Sequence, residues 1–305
     1  MSLTYKDVIN MPFDLLLKDR LRYIRDINFI HHLDKNAVIF FSGGLDSMVM
    51  HTMIDMALPG NSIPRVYINT GIEYQLMIEF VTKLAEKDNR IEIIKPTRNI
   101  KQMLEDVGYP FKSKEHSLYL SVYQHSGNTK TINRYLNRTD AYACKDILRY
   151  QFTPDFKIKV SKKCCDELKK KPCEKYMKEH GKTVSIVGLR QEEGGLRKNI
   201  TSCTIFDDWN NLNKFFPLRI VSHKFEKWFV SEYKVPLCDL YKEPYNFTRT
   251  GCKGCPYNLY LQEDLNTLEN FFPKERKQCE LIWKPVYDEY RRIGYRLSNQ
   301  LELTF

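Results

Sequence analysis

Short apolar runs alternate with segments of helical periodicity along the first half of the chain. Each of the first three runs is followed by a segment with apolar residues at helical spacing. The first of these segments begins after Gly44, the second covers residues 73–87, and the third ends at Gly108. The runs themselves predict buried β-strands over residues 36–41, 65–70, 91–96 and 183–189. Repeated strand–helix–strand units predict an α/β fold with a parallel sheet flanked by helices.

The rest of the chain has a less regular pattern. Residues 109–182 are mostly of helical character and strongly basic, and residues 265–297 predict one or two amphipathic helices. We therefore predict two domains. An α/β domain over residues 1–214 contains the basic insert, and a C-terminal part of helices and loops covers residues 215–305.

The overall charge points to an anionic partner or to a solvated basic surface. Lys and Arg number 48 against 38 Asp and Glu, a net charge of +10. Nucleotide phosphates, nucleic acid and a lysine-rich surface fit this balance equally well. An uninterrupted apolar stretch of about 18 residues, as a membrane span needs, does not occur. The charged N-terminal segment is unlike a signal peptide, so we expect a cytoplasmic protein without a membrane partner.

The six residues after the first predicted strand, Ser-Gly-Gly-Leu-Asp-Ser over 42–47, have the character of a phosphate-binding loop. Glycines let backbone N–H groups approach a phosphate closely, and the N-terminus of the following helix adds a favourable dipole. The loop is not a Walker A motif, because the Gly-Lys-Ser/Thr ending is absent. The predicted phosphate pocket consists of Ser42, Gly43, Gly44, Asp46 and Ser47. As an anion, Asp46 is expected to cap the helix or orient the loop.

The loop resembles the PP-loop of the adenine nucleotide alpha hydrolases, and two further motifs resemble the PAPS/APS (sulfonucleotide) reductases within that superfamily. The first is YINTGIEY over residues 67–74, in which Asn69 stands where that family often has Asp. The second is VGLRQEEGGLRKN over residues 187–199. The resemblance implies a Rossmann-like sheet of the HUP type and a bound adenine nucleotide, either ATP or a sulfonucleotide. It also implies that Thr70, Gly71, Arg190 and Arg197 line the nucleotide site, with Arg190 taking part in catalysis.

The nine cysteines include two groups with ligand spacing, the adjacent pair Cys164 and Cys165 and the CxxC motif of Cys252 and Cys255. In a reducing compartment four such thiolates suit zinc or an iron–sulfur cluster. Adjacent cysteines suit the separate corners of a cubane better than one tetrahedral ion. The pattern resembles the 4Fe–4S site of assimilatory APS reductases, which implies a catalytic role for Lys169 between cluster and nucleotide. Zinc is the second choice.

The reaction is where the resemblance weakens. Sulfonucleotide reductases use a cysteine on a C-terminal tail, whereas this chain ends YRLSNQLELTF, and Cys279 lies within a predicted helix. We therefore predict ATP-dependent adenylation and sulfur transfer to a tRNA or DNA acceptor, with Mg²⁺ assisting pyrophosphate release. The alternatives are sulfonucleotide reduction with release of sulfite and a non-catalytic regulator that binds nucleotide and cluster. A partner protein that donates sulfur or electrons, and a homodimer, are left open.

Overall fold

The computed structural model describes residues 3–140, 142–194, 197 and 199–298. Within these residues the chain forms two compact units that interleave in sequence. The sheet unit is drawn from Met1–Asn69, Gln75–Lys95 and Pro172–Thr250, and the cysteine unit from Thr70–Tyr74, Pro96–Lys171 and Gly251–Phe305. The predicted domain boundary after residue 214 stays a prediction.

Six strands of the described residues form one sheet in the sheet unit. They are β1 (Ala37–Phe41), β2 (Arg65–Ile68), β3 (Ile91–Ile94), β4 (Val184–Val187), β5 (Thr204–Phe206) and β6 (Leu212–Phe215). Their order is β3-β2-β1-β4-β6-β5, and every neighbouring pair is parallel except β5 with β6. The α/β class and the four predicted strands are confirmed, whereas the β5–β6 hairpin was not predicted.

Helices flank the sheet and make up most of the cysteine unit. The sheet unit contains α1 (Tyr5–Val8), α2 (Phe13–His31), α3 (Leu33–Asn36), α4 (Leu45–Ala57), α5 (Gln75–Ala85), α9 (Lys171–Glu179) and α10 (His223–Tyr233). The cysteine unit contains α6 (Ile100–Val107), α7 (Lys114–Ser126), α8 (Lys130–Leu136), α11 (Leu261–Phe271) and α12 (Pro273–Arg292). Among the described residues, none of the helices combines the length and the apolar character that crossing a bilayer requires.

The core of the sheet unit forms because β1 is buried on both faces. Val38 and Ile39 point to opposite faces and are both fully buried. From α9, Tyr176 packs against Val38 and Val66 and donates a hydrogen bond of 2.6 Å to the Glu92 carboxylate. The helix α4 lies against β1, and both α2 and α10 pack on α4. This layered arrangement is the one expected of a parallel sheet.

The strand order places a crevice at the carboxyl end of β1. One neighbour of β1 is β2 and the other is β4, so the connections of the chain diverge on the two sides of β1. In open α/β sheets, ligands bind outside the carboxyl ends of the strands where this divergence occurs. The loop that starts at Ser42 follows β1, and Arg190 follows β4. Both predicted binding segments therefore lie at the edge where this fold class holds its ligands.

The cysteine unit has an aromatic core along α12. Trp283, Tyr287 and Tyr290 are buried on one side of this helix, and the ring of Tyr290 meets that of Phe111 edge-on with centroids 4.7 Å apart. Two helices occur in the C-terminal region because Pro273 begins a new helix and has no N–H to continue α11. The prediction of amphipathic helices there is confirmed.

Candidate functional site

The loop after β1 has a backbone that only glycine accommodates at its second position. Gly43 has φ +70°, and a Cβ atom there would lie 2.6 Å from Met77 Sδ and 2.7 Å from Val81 Cγ2. Gly44 takes the N-cap position of α4 with extended geometry, and no side chain caps the helix. The N-cap residue therefore covers none of the first N–H groups of α4, of which that of Leu45 donates to a hydroxyl from another segment.

Serine and tyrosine hydroxyl groups fix the shape of the loop. The Ser47 hydroxyl donates to the Gly44 carbonyl at 2.9 Å and accepts from the Ser42 hydroxyl at 3.1 Å. Behind the helix start, the Leu45 N–H donates to the Tyr241 hydroxyl at 3.2 Å, and that hydroxyl lies 2.7 Å from the Thr250 hydroxyl. The sequence analysis missed Tyr241 and Thr250, since they lie far from the loop in sequence and carry no motif of their own.

Asp46 connects the loop to the segment after β4. Its Oδ1 accepts a 3.0 Å hydrogen bond from Arg190 Nε, and Arg190 is 8% exposed. Gly188 permits this approach, because a Cβ atom at that position would lie 3.1 Å from the Asp46 carbonyl oxygen. Of the two roles expected for Asp46, the structure therefore shows orientation through Arg190, since the N-cap is Gly44.

A second arginine pair lies beside Arg190 in the sheet unit. Arg197 forms an ion pair with Glu193, and Arg249 Nη2 lies 3.7 Å from the other Glu193 oxygen. Burial lowers the pKa of Arg197, and the nearby cations Arg249 and Arg190 lower it further. Three arginines thus converge near the loop, so an anionic ligand would relieve their mutual repulsion.

The predicted residues Thr70 and Gly71 belong to the cysteine unit rather than to the sheet unit. The Thr70 N–H and hydroxyl both donate to the Glu73 carboxylate at 2.8 Å, and both residues are buried. Glu73 Oε1 lies 3.7 Å from Lys169 Nζ. The sequence analysis missed Glu73, although a Thr followed three residues later by Glu is the spacing of a capping box.

Four cysteine side chains come together in the cysteine unit. Burial raises the pKa of Cys164, and the neighbouring thiols of Cys252, Cys165 and Cys255 raise it further. Burial and the same thiol neighbourhood raise the pKa of Cys255 to about 12. Cys252 and then Glu73 raise the pKa of Lys169. The four cysteines predicted as ligands are therefore neighbours, and Lys169 places a cation beside them.

The spacing of the sulfur atoms bears on which metal group would fit. Tetrahedral zinc with Zn–S bonds of about 2.3 Å requires sulfur atoms roughly 3.8 Å apart. Within the described residues, no three cysteine sulfur atoms all lie within 4.8 Å of one another. The one group of three possible metal ligands at that spacing, again among the described residues, is His51, Asp55 and Asp88. A cubane binds each cysteine at a different iron and accepts a wider separation of the sulfur atoms than a single zinc ion does.

Side chains of α12 support the turn that carries the CxxC motif. The Trp283 indole N–H donates to the Lys253 carbonyl at 3.2 Å, and the Tyr287 hydroxyl donates to the Gly254 carbonyl. The Tyr290 hydroxyl donates to the Pro256 carbonyl at 2.9 Å. These residues, at positions 283, 287 and 290, lie on one face of the helix. The carbonyl groups of Lys253, Gly254 and Pro256 thus accept hydrogen bonds from α12.

Cys279 lies beneath the same turn and is fully buried. Gly254 has φ +62°, and a Cβ atom there would lie 2.8 Å from Cys279 Sγ. Burial raises the pKa of Cys279 to about 12. A thiol in this environment stays protonated and is a poor nucleophile. The predicted lack of a nucleophilic tail involves residues 299–305, which lie outside the described residues.

The fold is that of an α/β protein with a mostly parallel sheet and a glycine turn after its first strand. The family model for the phosphoadenosine phosphosulfate reductase domain matches residues 36–145 and 145–258. The chain belongs to this family, which confirms the resemblance drawn from the motifs at 42–47, 67–74 and 187–199. No curated protein matches the chain.

Similar solved structures include three nucleotide enzymes. A phosphoadenylyl-sulfate reductase from Candida auris, in a phosphate complex, is 16% identical with a TM-score of 0.45, over 83% of this chain and 97% of that one. Yeast FAD synthetase in complex with FAD is 12% identical with a TM-score of 0.46, over 94% and 89%. An NH3-dependent NAD synthetase from Campylobacter jejuni is 13% identical with a TM-score of 0.41, over 94% and 99%.

Proposed function

We propose that this chain is an enzyme that binds ATP at the loop 42–47 and cleaves it between the α and β phosphates. The positive φ of Gly43, the glycine at the N-cap of α4, and the proximity of Arg190 and Arg197 support a triphosphate in this position. Family membership supports the adenine nucleotide. Mg²⁺ would accompany the phosphates and stabilise the charge that develops on pyrophosphate.

The cofactor in this proposal is a 4Fe–4S cluster held by Cys164, Cys165, Cys252 and Cys255. A bound cluster supplies electron-transfer or sulfur chemistry. Lys169 neutralises part of the negative charge of the thiolates, and Glu73 holds Lys169 in turn. Zinc is the second choice, because the same four thiolates bind it well but at a shorter sulfur spacing.

The burial of Cys279 is the observation that carries the choice of reaction. Reduction of a sulfonucleotide needs a thiolate that attacks sulfur and is then exposed to a reductant. Cys279 is fully buried and its pKa is raised. Adenylation has no such requirement: an acceptor oxygen attacks the α-phosphorus, pyrophosphate leaves, and an incoming sulfur atom then displaces AMP. The net charge of +10 favours a tRNA or DNA acceptor.

Sulfonucleotide reduction is the second candidate, and membership of the phosphoadenosine phosphosulfate reductase family favours it. Three further cysteines, Cys144, Cys203 and Cys238, are buried as Cys279 is, whereas Cys173 is half-buried. Release of sulfite from PAPS or APS with a thiol reductant, abolished by Cys173→Ser or Cys279→Ser, would establish this reaction and contradict our proposal.

The deciding experiment measures AMP and pyrophosphate formed from ATP by anaerobically purified protein, with and without tRNA or DNA and a sulfide source. We expect AMP and pyrophosphate in equal amounts, stimulated by nucleic acid and weakened by salt. Binding of ATP without turnover under all conditions would support a regulator instead.

Two arginine variants test the location of the site. Arg197→Gln removes a charge-assisted contact, so ATP should bind about ten- to a hundredfold more weakly. Arg22→Gln removes the same charge from an exposed position on α2 and should change affinity less than about twofold. Equal effects of the two variants would mean that the response reflects net charge alone.

A further inference from the structure

A carboxyl group from α10 lies buried behind the phosphate loop without a hydrogen-bond donor. Glu226 is fully buried, and neither of its oxygen atoms receives a hydrogen bond. An ionised carboxylate in this position would be costly, because burial removes water and the nearest cation, Arg190, donates its Nε hydrogen to Asp46 instead. The residue belongs to none of the motifs that the sequence analysis singled out.

Glu226 and Asp46 compete for one hydrogen atom. Arg190 Nε lies 2.9 Å from Glu226 Oε2 and 3.0 Å from Asp46 Oδ1. The nitrogen carries a single hydrogen, and it points to Asp46. Two carboxyl groups therefore face each other across one N–H group. Carboxyl groups this close cannot both ionise without strong repulsion, so the pair retains a proton.

We propose that Glu226 is a positioning residue of the nucleotide site, whose protonated carboxyl group donates a hydrogen bond to Asp46 and prevents a surplus negative charge behind the phosphate loop. This role rests on the proposed nucleotide site, and it makes nucleotide binding depend on the proton of the Glu226 carboxyl group. The hydrogen bond holds Asp46 against Arg190, and Arg190 can then present its remaining N–H groups to a phosphate.

The charged groups around Glu226 support this assignment. Asp46 faces it from α4, and Glu192, whose Oε2 is 3.1 Å from Arg190 Nη1, adds a second carboxylate near the same arginine. His223 Nδ1 lies 3.6 Å from Glu226 Oε2, and burial and then Arg190 lower the His223 pKa, so His223 is neutral at pH 7. Burial and then Asp46 raise the pKa of Glu226 to about 10.

The proton makes nucleotide affinity depend on pH. A bound phosphate adds negative charge near Glu226 and holds the proton more tightly, so binding raises the pKa further. By linkage, affinity is complete well below pH 10 and falls as pH rises towards that value. Each unit by which the nucleotide raises the pKa corresponds to a tenfold loss of affinity once Glu226 is ionised in the free protein.

Two variants separate the proton from the shape of the side chain. Glu226→Gln keeps the size and an N–H donor without the negative charge, whereas Glu226→Leu removes the donor. Titration calorimetry with Mg-ATP at pH 7 should give near wild-type affinity for Glu226→Gln and about tenfold weaker binding for Glu226→Leu. Between pH 8 and 11, a range that spans the Glu226 pKa of about 10, the affinity of the wild type should fall relative to Glu226→Gln, which shares every other titrating group.

Parallel pH profiles for wild type and Glu226→Gln, or equal losses in the Gln and Leu variants, would overturn the proposal. Infrared difference spectroscopy tests the proton without nucleotide: the wild type at pH 8 should show a protonated-carboxyl band that Glu226→Gln lacks. If the wild type does not bind Mg-ATP, the proposed function fails while this band still reports on Glu226. A wild-type spectrum without the band would contradict the protonated carboxyl directly.

Discussion

The sheet unit and the cysteine unit build their candidate sites in different ways. In the sheet unit, residues 42–47 and 188–194 follow neighbouring strands, and the sheet order brings them to one edge. In the cysteine unit, the two pairs of predicted ligands are separated by the stretch of chain between Cys165 and Cys252, and side chains of α12 are bonded to the turn that carries the second pair. A site formed by backbone N–H groups suits a substrate that binds and leaves in every turnover, whereas a site formed by several side chains suits a permanently bound cofactor.

The strongest test of this comparison removes one sulfur atom. With Cys252→Ser, the protein purified under anaerobic conditions should lose its iron, whereas wild type should contain about four irons per chain. Cys173→Ser is the matched control, because this cysteine is also partly exposed but lies outside the ligand set. Stoichiometric zinc without iron in the wild type would replace the cluster with a single-ion site.

A glycine variant should damage the sheet unit's site alone. Gly44→Val adds a branched side chain where a Cβ atom would already lie 3.1 Å from the Tyr241 hydroxyl, at the surface that a phosphate must approach. We expect ATP affinity to fall at least a hundredfold with the iron content unchanged, as measured by calorimetry and metal analysis. Unchanged ATP affinity would remove the nucleotide site from this loop.

The converse glycine variant should damage the cysteine unit alone. Gly254→Ala forces a left-handed backbone on alanine and places its Cβ against Cys279, so unfolding should become easier by about 3 kcal/mol. Gly251→Ala is the control, because a Cβ atom there meets nothing within 4 Å. Urea unfolding of the anaerobic protein measures both. A loss of ATP affinity as large as that of Gly44→Val would show that the two sites are not independent.

The smallest effect concerns a single hydroxyl group of α12. Tyr287→Phe removes the hydrogen bond to the Gly254 carbonyl and leaves that carbonyl buried, which should cost about 1–2 kcal/mol of stability and loosen iron retention. Tyr260→Phe changes an exposed ring and should have almost no effect. If iron loss to a chelator is equally slow in wild type and Tyr287→Phe, the helix does not support the CxxC turn.

Local sequence patterns predicted the parts of the fold in which consecutive residues are buried. The four parallel strands are short apolar runs, and the structure confirms them. The hairpin of β5 and β6 was not predicted, because Phe206 and Trp209 are exposed and the edge strand shows no buried pattern. The helix α5 begins at Gln75 rather than at residue 73, since the Glu73 side chain is bonded to Thr70.

Sequence reasoning could propose candidate site residues only where they belong to contiguous motifs. Arg190 and the loop residues were proposed because each follows a strand in a short pattern, and their roles stay predictions. Glu226, Glu73 and Tyr241 were missed, because an isolated Glu or Tyr carries no sign of which buried group it will meet. The four cysteines were proposed as ligands from their spacing, and that role stays a prediction, whereas the support from α12 depends on how the aromatic face of this helix packs.

The interleaving of the two units along the chain affects the order in which their segments are synthesised on the ribosome. Each unit is assembled from three separate segments of the chain, and the sheet unit is completed only by Pro172–Thr250. During translation β1 emerges early, but β4 and β6, its partners on one side, follow only after the first segments of the cysteine unit. The sheet unit can therefore be completed only after the first segments of the cysteine unit have been synthesised, and neither unit corresponds to one continuous stretch of the chain.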